Sequence, residues 1–141
     1  MIKQTEHLPK GSYLAWSDVL DNLRFNDDGL IPAIAQQHDT HEVLMMAWMN
    51  RTSIEESLKT KRVCYWSRSR QRLWRKGESS GQEQHLIAMH IDCDGDTLLL
   101  KVNQTGPACH TGRRSCFYNV VDNDKVFVES DPLIDPAQLY T

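Results

Sequence analysis

The chain has 141 residues, 40% hydrophobic and 25% charged, with a net charge of −3. That is enough chain for one domain with a real core and too little for two, and the acidic balance speaks against a general nucleic-acid binder. The N-terminus, MIKQTEHLPKGSY, lacks the apolar run of a signal peptide, and the longest apolar stretch (43–49) is far too short for a bilayer, so the expected location is the cytoplasm.

SDVLDNLRF (17–25) predicts a short helix capped by Ser17, with Val19, Leu20 and Leu23 on one face. LIPAIAQQ (30–37) and HEVLMMAW (41–48) predict strands joined by a turn at 38–40. TSIEESLKT (52–60) predicts a helix with a Thr52–Glu55 capping box and Ile54 stacked on Leu58. VCYWSRSR (63–70) alternates with period two: Tyr65, Ser67 and Ser69 on one face, Trp66, Arg68 and Arg70 on the other. A turn near Gln71 and a Gly/Ser-rich loop, KGESSG (76–81), follow.

HLIAMHID (85–92) and TLLLKVNQ (97–104) predict a hairpin whose Asp94-Gly95 signals a type I′ turn. Two glycines and a proline make 105–115 a loop; 116–121 and 125–129 predict strands, and 135–140 a short terminal helix. Strands outnumber helices and mostly neighbour one another as hairpins. The expected fold is α+β and mainly β: an antiparallel curled sheet or barrel-like domain with a few short helices, spanning 1–141.

Residues 59–76 hold eight of the sixteen Lys and Arg, a local basic patch on an acidic chain. It suits a compact anionic ligand or, on charge alone, a solvated hairpin. Three of the four cysteines lie within DCDGDTLLLKVNQTGPACHTGRRSC (92–116), while Cys64 stands apart and reads as a small core residue. In a reducing compartment such a cluster points to metal or catalysis rather than to disulfides.

Asp92, Asp94, Gly95 and Asp96 fail as a calcium loop, because the glycine falls at position 4 and position 12 is Asn103. Without the cysteines they would be a polar hairpin tip. Cys93, Cys109 and Cys116 lack the close pair of a zinc knot, and no H-x-E accompanies Pro107-Ala108-Cys109, which removes the base-deaminase pattern. Three thiolates leave one zinc position open to a water, as in catalytic sites. His110 could then move a proton, or be only a polar loop residue. Unliganded core thiols are the bland alternative.

VLMMAWMN, YWSRSRQRLWRKGESSG and DCDGDTLLLKVNQTGPACHTGRRSCF resemble, in order and spacing, the motifs of the phosphoribosyl-AMP cyclohydrolases, over roughly 25–120. The resemblance implies a hydrolase of the third step of histidine biosynthesis. A zinc-activated water would open the N1–C6 bond of 1-(5-phospho-β-D-ribosyl)-AMP to give the ProFAR aminoimidazole carboxamide. It further implies zinc on Cys93, Cys109 and Cys116, with Cys93 from the partner chain of an intertwined homodimer, and magnesium on Asp92, Asp94 and Asp96. Beside it stand His110 as general base or proton shuttle, Arg68 and Arg70 with Lys76 and the 77–81 backbone as phosphate clamp, and Trp66 or Trp48 as a stacking surface for the purine. Many relatives continue into a phosphoribosyl-ATP pyrophosphatase domain; none is expected here. The first 25 residues match no motif. A binding module with structural zinc and a different zinc amidohydrolase are the rival readings.

Overall fold

The computed structural model describes residues 2–139. Six strands form one sheet: β1 (Ile31–Gln37), β2 (Val43–Met49), β3 (Cys64–Ser67), β4 (Arg72–Arg75), β5 (Gln84–Ile91) and β6 (Leu98–Gln104). Their order is β4-β3-β2-β1-β6-β5, and the sheet curls into a half-barrel. β7 (Asn119–Asp122) and β8 (Lys125–Val128) make a separate hairpin. The helices are a 3₁₀ turn at Ile2–His7, α1 (Trp16–Asp21), α2 (Arg51–Thr60) and α3 (Pro136–Leu139). Tyr140, the last residue of the expected terminal helix, lies outside the described residues.

The mainly β character agrees with the sequence reading, but the sheet is mixed. β1 and β6 run parallel inside it, with Ala33 opposite Leu98 and Gln37 opposite Val102. The hairpins β1–β2, β3–β4 and β5–β6 are antiparallel. Alternation puts Ile31, Ala33 and Ala35 of β1 and Leu98, Leu100 and Val102 of β6 into one core, each side chain at most 4% exposed. Full burial of a Leu or Ile stabilises by about 1.5–3 kcal/mol, so this parallel seam anchors the fold. Val19, Leu20 and Ile54 close the core from α1 and α2.

Several local expectations change. Ser17 lies inside α1, whose N-cap is Ala15 without a side-chain bond. On α2 the capping box is Asn50 with Ser53, not Thr52 with Glu55. Asn50 Oδ1 accepts from Ser53 N at 2.8 Å and Ser53 Oγ from Asn50 N at 2.9 Å. β3 stops at Ser67, so Arg68 and Arg70 sit in a turn rather than on a strand face, and Gln71 takes φ 52° there. RLWR, which carries no predicted element, is β4. At the β5–β6 tip Gly95 has positive φ and Asp94 does not, which rules out type I′. The Gly95 N–H closes a 3.1 Å bond to the Asp92 carbonyl instead. β7 begins at Asn119, three residues later than expected.

Candidate active site

The two ends of β6 carry the aspartate and cysteine clusters of the 92–116 stretch. The tip 92–97 precedes Leu98; the cysteine loop follows Gln104. Six strand steps between them span roughly 20 Å. At the far end, the Thr105 N–H bonds the Glu83 carbonyl and Cys116 N–H the Leu44 carbonyl, at 2.9 and 2.7 Å. One chain therefore brings Cys109 and Cys116 together and leaves Cys93 exposed at the opposite end.

The loop is held by its backbone. Ala108 N bonds Arg114 O at 3.0 Å, Cys109 N bonds Arg113 O at 3.1 Å, and Gly112 N closes a turn on Cys109 O at 3.0 Å. Arg114 Nη1 donates to the carbonyls of Gln104 and Gly106 at 3.1 and 2.8 Å. Cys109 is 5% exposed, and Thr111 Oγ1 donates to its sulfur at 3.1 Å. Burial, then the proximity of Cys109, pushes the Cys116 thiol up to about 12. The Cys116 thiol is neutral alone, and a soft divalent cation would displace its proton; with the Cys109 sulfur beside it, this donor set suits zinc. Cys64, also pushed up to about 12 by burial, is an inert core thiol as expected.

Among the described residues, the ligand atoms of Asp92, Asp94 and Asp96 lie within 4.8 Å of one another. Burial opposes the Asp92 carboxylate, but the N–H groups of Asp96 and Thr97, at 2.9 and 3.2 Å from Oδ1, hold its pKa below the ordinary carboxylate value. The hydrogen bond to Asp92 raises Asp96. Carboxylates crowded in this way suit a hard cation such as Mg²⁺. Lys3 Nζ stands 3.6 Å from Asp94 Oδ1.

A cavity of about 700 Å³ adjoins the cysteine loop, with His110 on its wall. Arg70, Lys76 and the 77–80 turn also line it, as do Ser67, Arg72 and Trp74. Lys76 points at the loop, donating to the Ala108 carbonyl at 2.7 Å, and burial lowers its pKa. Gly77 permits the cavity turn: its φ is 86°, and a Cβ would meet Glu83 N at 2.6 Å. Gly77→Ala should lower stability by about 3 kcal/mol, roughly 10 °C in Tm. A thermal melt within 2 °C of wild type would mean that this turn yields.

The other expected binding residues lie elsewhere. Trp66 pairs with Trp48 and Leu73, on the sheet face opposite Tyr65 and Trp74, and the Arg68 guanidinium stacks on Trp48 at 4.9 Å. Arg72 and Trp74 are not among the expected site residues, because RLWR carries no predicted element between the turn near Gln71 and the 76–81 loop; their period-two spacing with Lys76 is the available signal.

The family model for phosphoribosyl-AMP cyclohydrolase matches residues 45–118, which hold the aspartate and cysteine clusters and all but one of the described residues of the cavity wall. The chain belongs to the phosphoribosyl-AMP cyclohydrolase family. It is 66% identical over 140 residues to the phosphoribosyl-AMP cyclohydrolase of Halorhodospira halophila, covering 99% of each chain. The cyclohydrolase of Chromohalobacter salexigens is 65% identical over 138 residues, 98% of this chain and 94% of that one. That of Granulibacter bethesdensis is 66% identical over 125 residues, 88% of this chain and 98% of that one. Membership in this cyclohydrolase family implies a hydrolase of histidine biosynthesis. Among the described residues no helix is long and apolar enough to cross a membrane.

Proposed function

We propose that the chain hydrolyses the N1–C6 bond of phosphoribosyl-AMP in the cavity beside Cys109 and Cys116. The observation that carries this is the pair of buried Cys109 and half-buried Cys116 next to a cavity whose wall holds Arg70, Arg72, Lys76 and, among the described residues, a single carboxylate, Glu78. Cationic walls suit a substrate with a phosphate at each end. Zinc held by Cys109, Cys116 and Cys93 of the partner subunit would supply Lewis acidity that makes water acidic near neutral pH. Overall one water adds: its oxygen bonds C6, the C6–N1 bond breaks, one of its protons ends on N1 and the other on the exocyclic nitrogen, which becomes the carboxamide NH2. His110, exposed on the cavity wall, is placed to take the water's proton and return it to N1. Asp92, Asp94 and Asp96 would hold magnesium. Arg70 holds a phosphate, and the 77–80 turn closes that wall.

A homodimer follows from the same reading, because the third sulfur lies at the wrong end of its own sheet. Two apolar surfaces support it. Ile34, Met46, Trp48, Trp66 and Leu99 form a row across the outer sheet face, each at least half-buried or exposed. On β7–β8 every residue is exposed, Val121 at 77% and Phe127 at 61%. Such surfaces are costly in water unless covered.

The test joins elemental analysis to an assay with phosphoribosyl-AMP. Expected are one zinc per chain and ring opening that falls with zinc content on chelation. Full turnover in zinc-free protein would remove the zinc role; no turnover in zinc- and magnesium-replete protein would remove the activity.

A further inference from the structure

We propose that the cavity face of β4 is a nucleotide-recognition strip, in which Arg72 receives a phosphate and Trp74 carries the purine. The direction of the ligand rests on the ring-opening reading; the strip itself rests on strand geometry. Period two sends Arg72, Trp74 and Lys76 to one face, and the register sets Ser67 opposite Arg72 and Tyr65 opposite Trp74. Ser67, Arg72, Trp74 and Lys76 all line the cavity, so this face is one of its walls.

The strand sorts its arginines. Arg75, on the other face, grips Glu56 with two bonds, Nε–Oε2 at 3.0 Å and Nη2–Oε1 at 2.8 Å. Arg72 is exposed to the cavity and has no carboxylate partner among the described residues. A guanidinium without an internal counter-ion, beside the hydroxyl-bearing Ser67 and near Arg70, has the chemistry of a phosphate anchor.

Trp74 is a fixed platform. Its ring packs on buried Tyr65 with centroids 5.5 Å apart at 38°, and Lys76 Nζ, tied to Ala108 O, sits 5.5 Å from its centre. Consecutive same-face residues on a strand are about 6.6 Å apart. A phosphate on Arg72 thus leaves room for a ribose before the base reaches Trp74, and Lys76 marks the way on to the Cys109 loop. Trp66 and Trp48, on the opposite face, are not on this path.

Binding of two stable probes, AMP and adenosine, to the metal-loaded full chain tests the strip by calorimetry. Wild type should prefer AMP. Arg72→Gln should weaken AMP about tenfold and leave adenosine unchanged, the loss of a charged hydrogen bond. Trp74→Leu should weaken both about tenfold and keep their ratio, the loss of one stacked base, and Trp74→Phe should recover most of it. An unchanged AMP preference in Arg72→Gln overturns the phosphate anchor. Adenosine binding unchanged in Trp74→Leu, or a Trp74→Phe variant of wild-type Tm as weak as the Leu variant is expected to be, overturns the platform. If Trp74→Leu does not fold, Trp74→Phe and Arg72→Gln carry the test. Wild-type turnover of phosphoribosyl-AMP is measured alongside. An active enzyme whose probes ignore both residues loses only the strip; one that shows the predicted pattern without turnover loses only the ring-opening reading.

Discussion

Cys109→Ser should abolish ring opening, by about 10³-fold or more in kcat/KM, while the protein stays folded. The fold-change corresponds to about 4 kcal/mol of barrier, within what a Lewis-acid site supplies. Serine keeps nearly the same shape but replaces a soft donor with a hard neutral hydroxyl, which holds zinc poorly. The loop does not depend on the sulfur for its path. The bonds of Cys109 N to Arg113 O, Gly112 N to Cys109 O and Lys76 Nζ to Ala108 O involve backbone atoms of the loop alone. The Tm should therefore fall by no more than a few degrees, since about 1 kcal/mol moves a domain of this size by roughly 2–4 °C. Bound zinc should drop with activity. Wild-type turnover in the variant would remove the metal role of Cys109. Collapse of the wild-type fold on chelation, with no turnover of any purine, would favour the rival in which the ion is structural.

The parts of the site that local pattern encodes were legible. Asp92, Asp94 and Asp96 cluster because a hairpin tip brings alternate residues together, and the loop character of 105–115 follows from its glycines and proline. The long strands β5 and β6 follow from apolar runs. What escaped depends on competition or distance. Asn50 outcompetes Thr52 as helix cap because the chain turns into α2 two residues earlier than a Thr52 cap requires, so Ser53 answers it. β4 carries only four residues, with Arg at both ends, and its pairing to β3 supplies the order that its composition lacks. The parallel contact of β1 with β6 joins segments more than sixty residues apart, and no window of the sequence contains it. That contact has a functional consequence: it holds β6 extended between β1 and β5 and so keeps Cys93 and Cys109, which flank that strand, at opposite ends.

From that separation comes the last expected result. Cys93→Ser and Cys109→Ser should each be inactive alone, yet a mixture allowed to exchange subunits should recover about a quarter of wild-type activity. The arithmetic is that of a symmetric dimer. Each site takes Cys93 from one chain and the Cys109–Cys116 pair from the other. In a mixed dimer one site inherits both substitutions and the other inherits neither. Random exchange of equal amounts makes about half the dimers mixed, and half of their sites are intact. A single-chain site makes the opposite prediction, because every chain in the mixture lacks one sulfur. Bridging the gap within one chain would require the tip to cross roughly 20 Å of sheet that β1 pins on one side and β5 on the other. Subunit exchange is verified independently, by mass measurement of a tagged and an untagged chain. Mixed dimers present with no activity would overturn the shared site; recovery near a quarter, with zinc returning in the same proportion, is the outcome that a sulfur set divided between two copies requires.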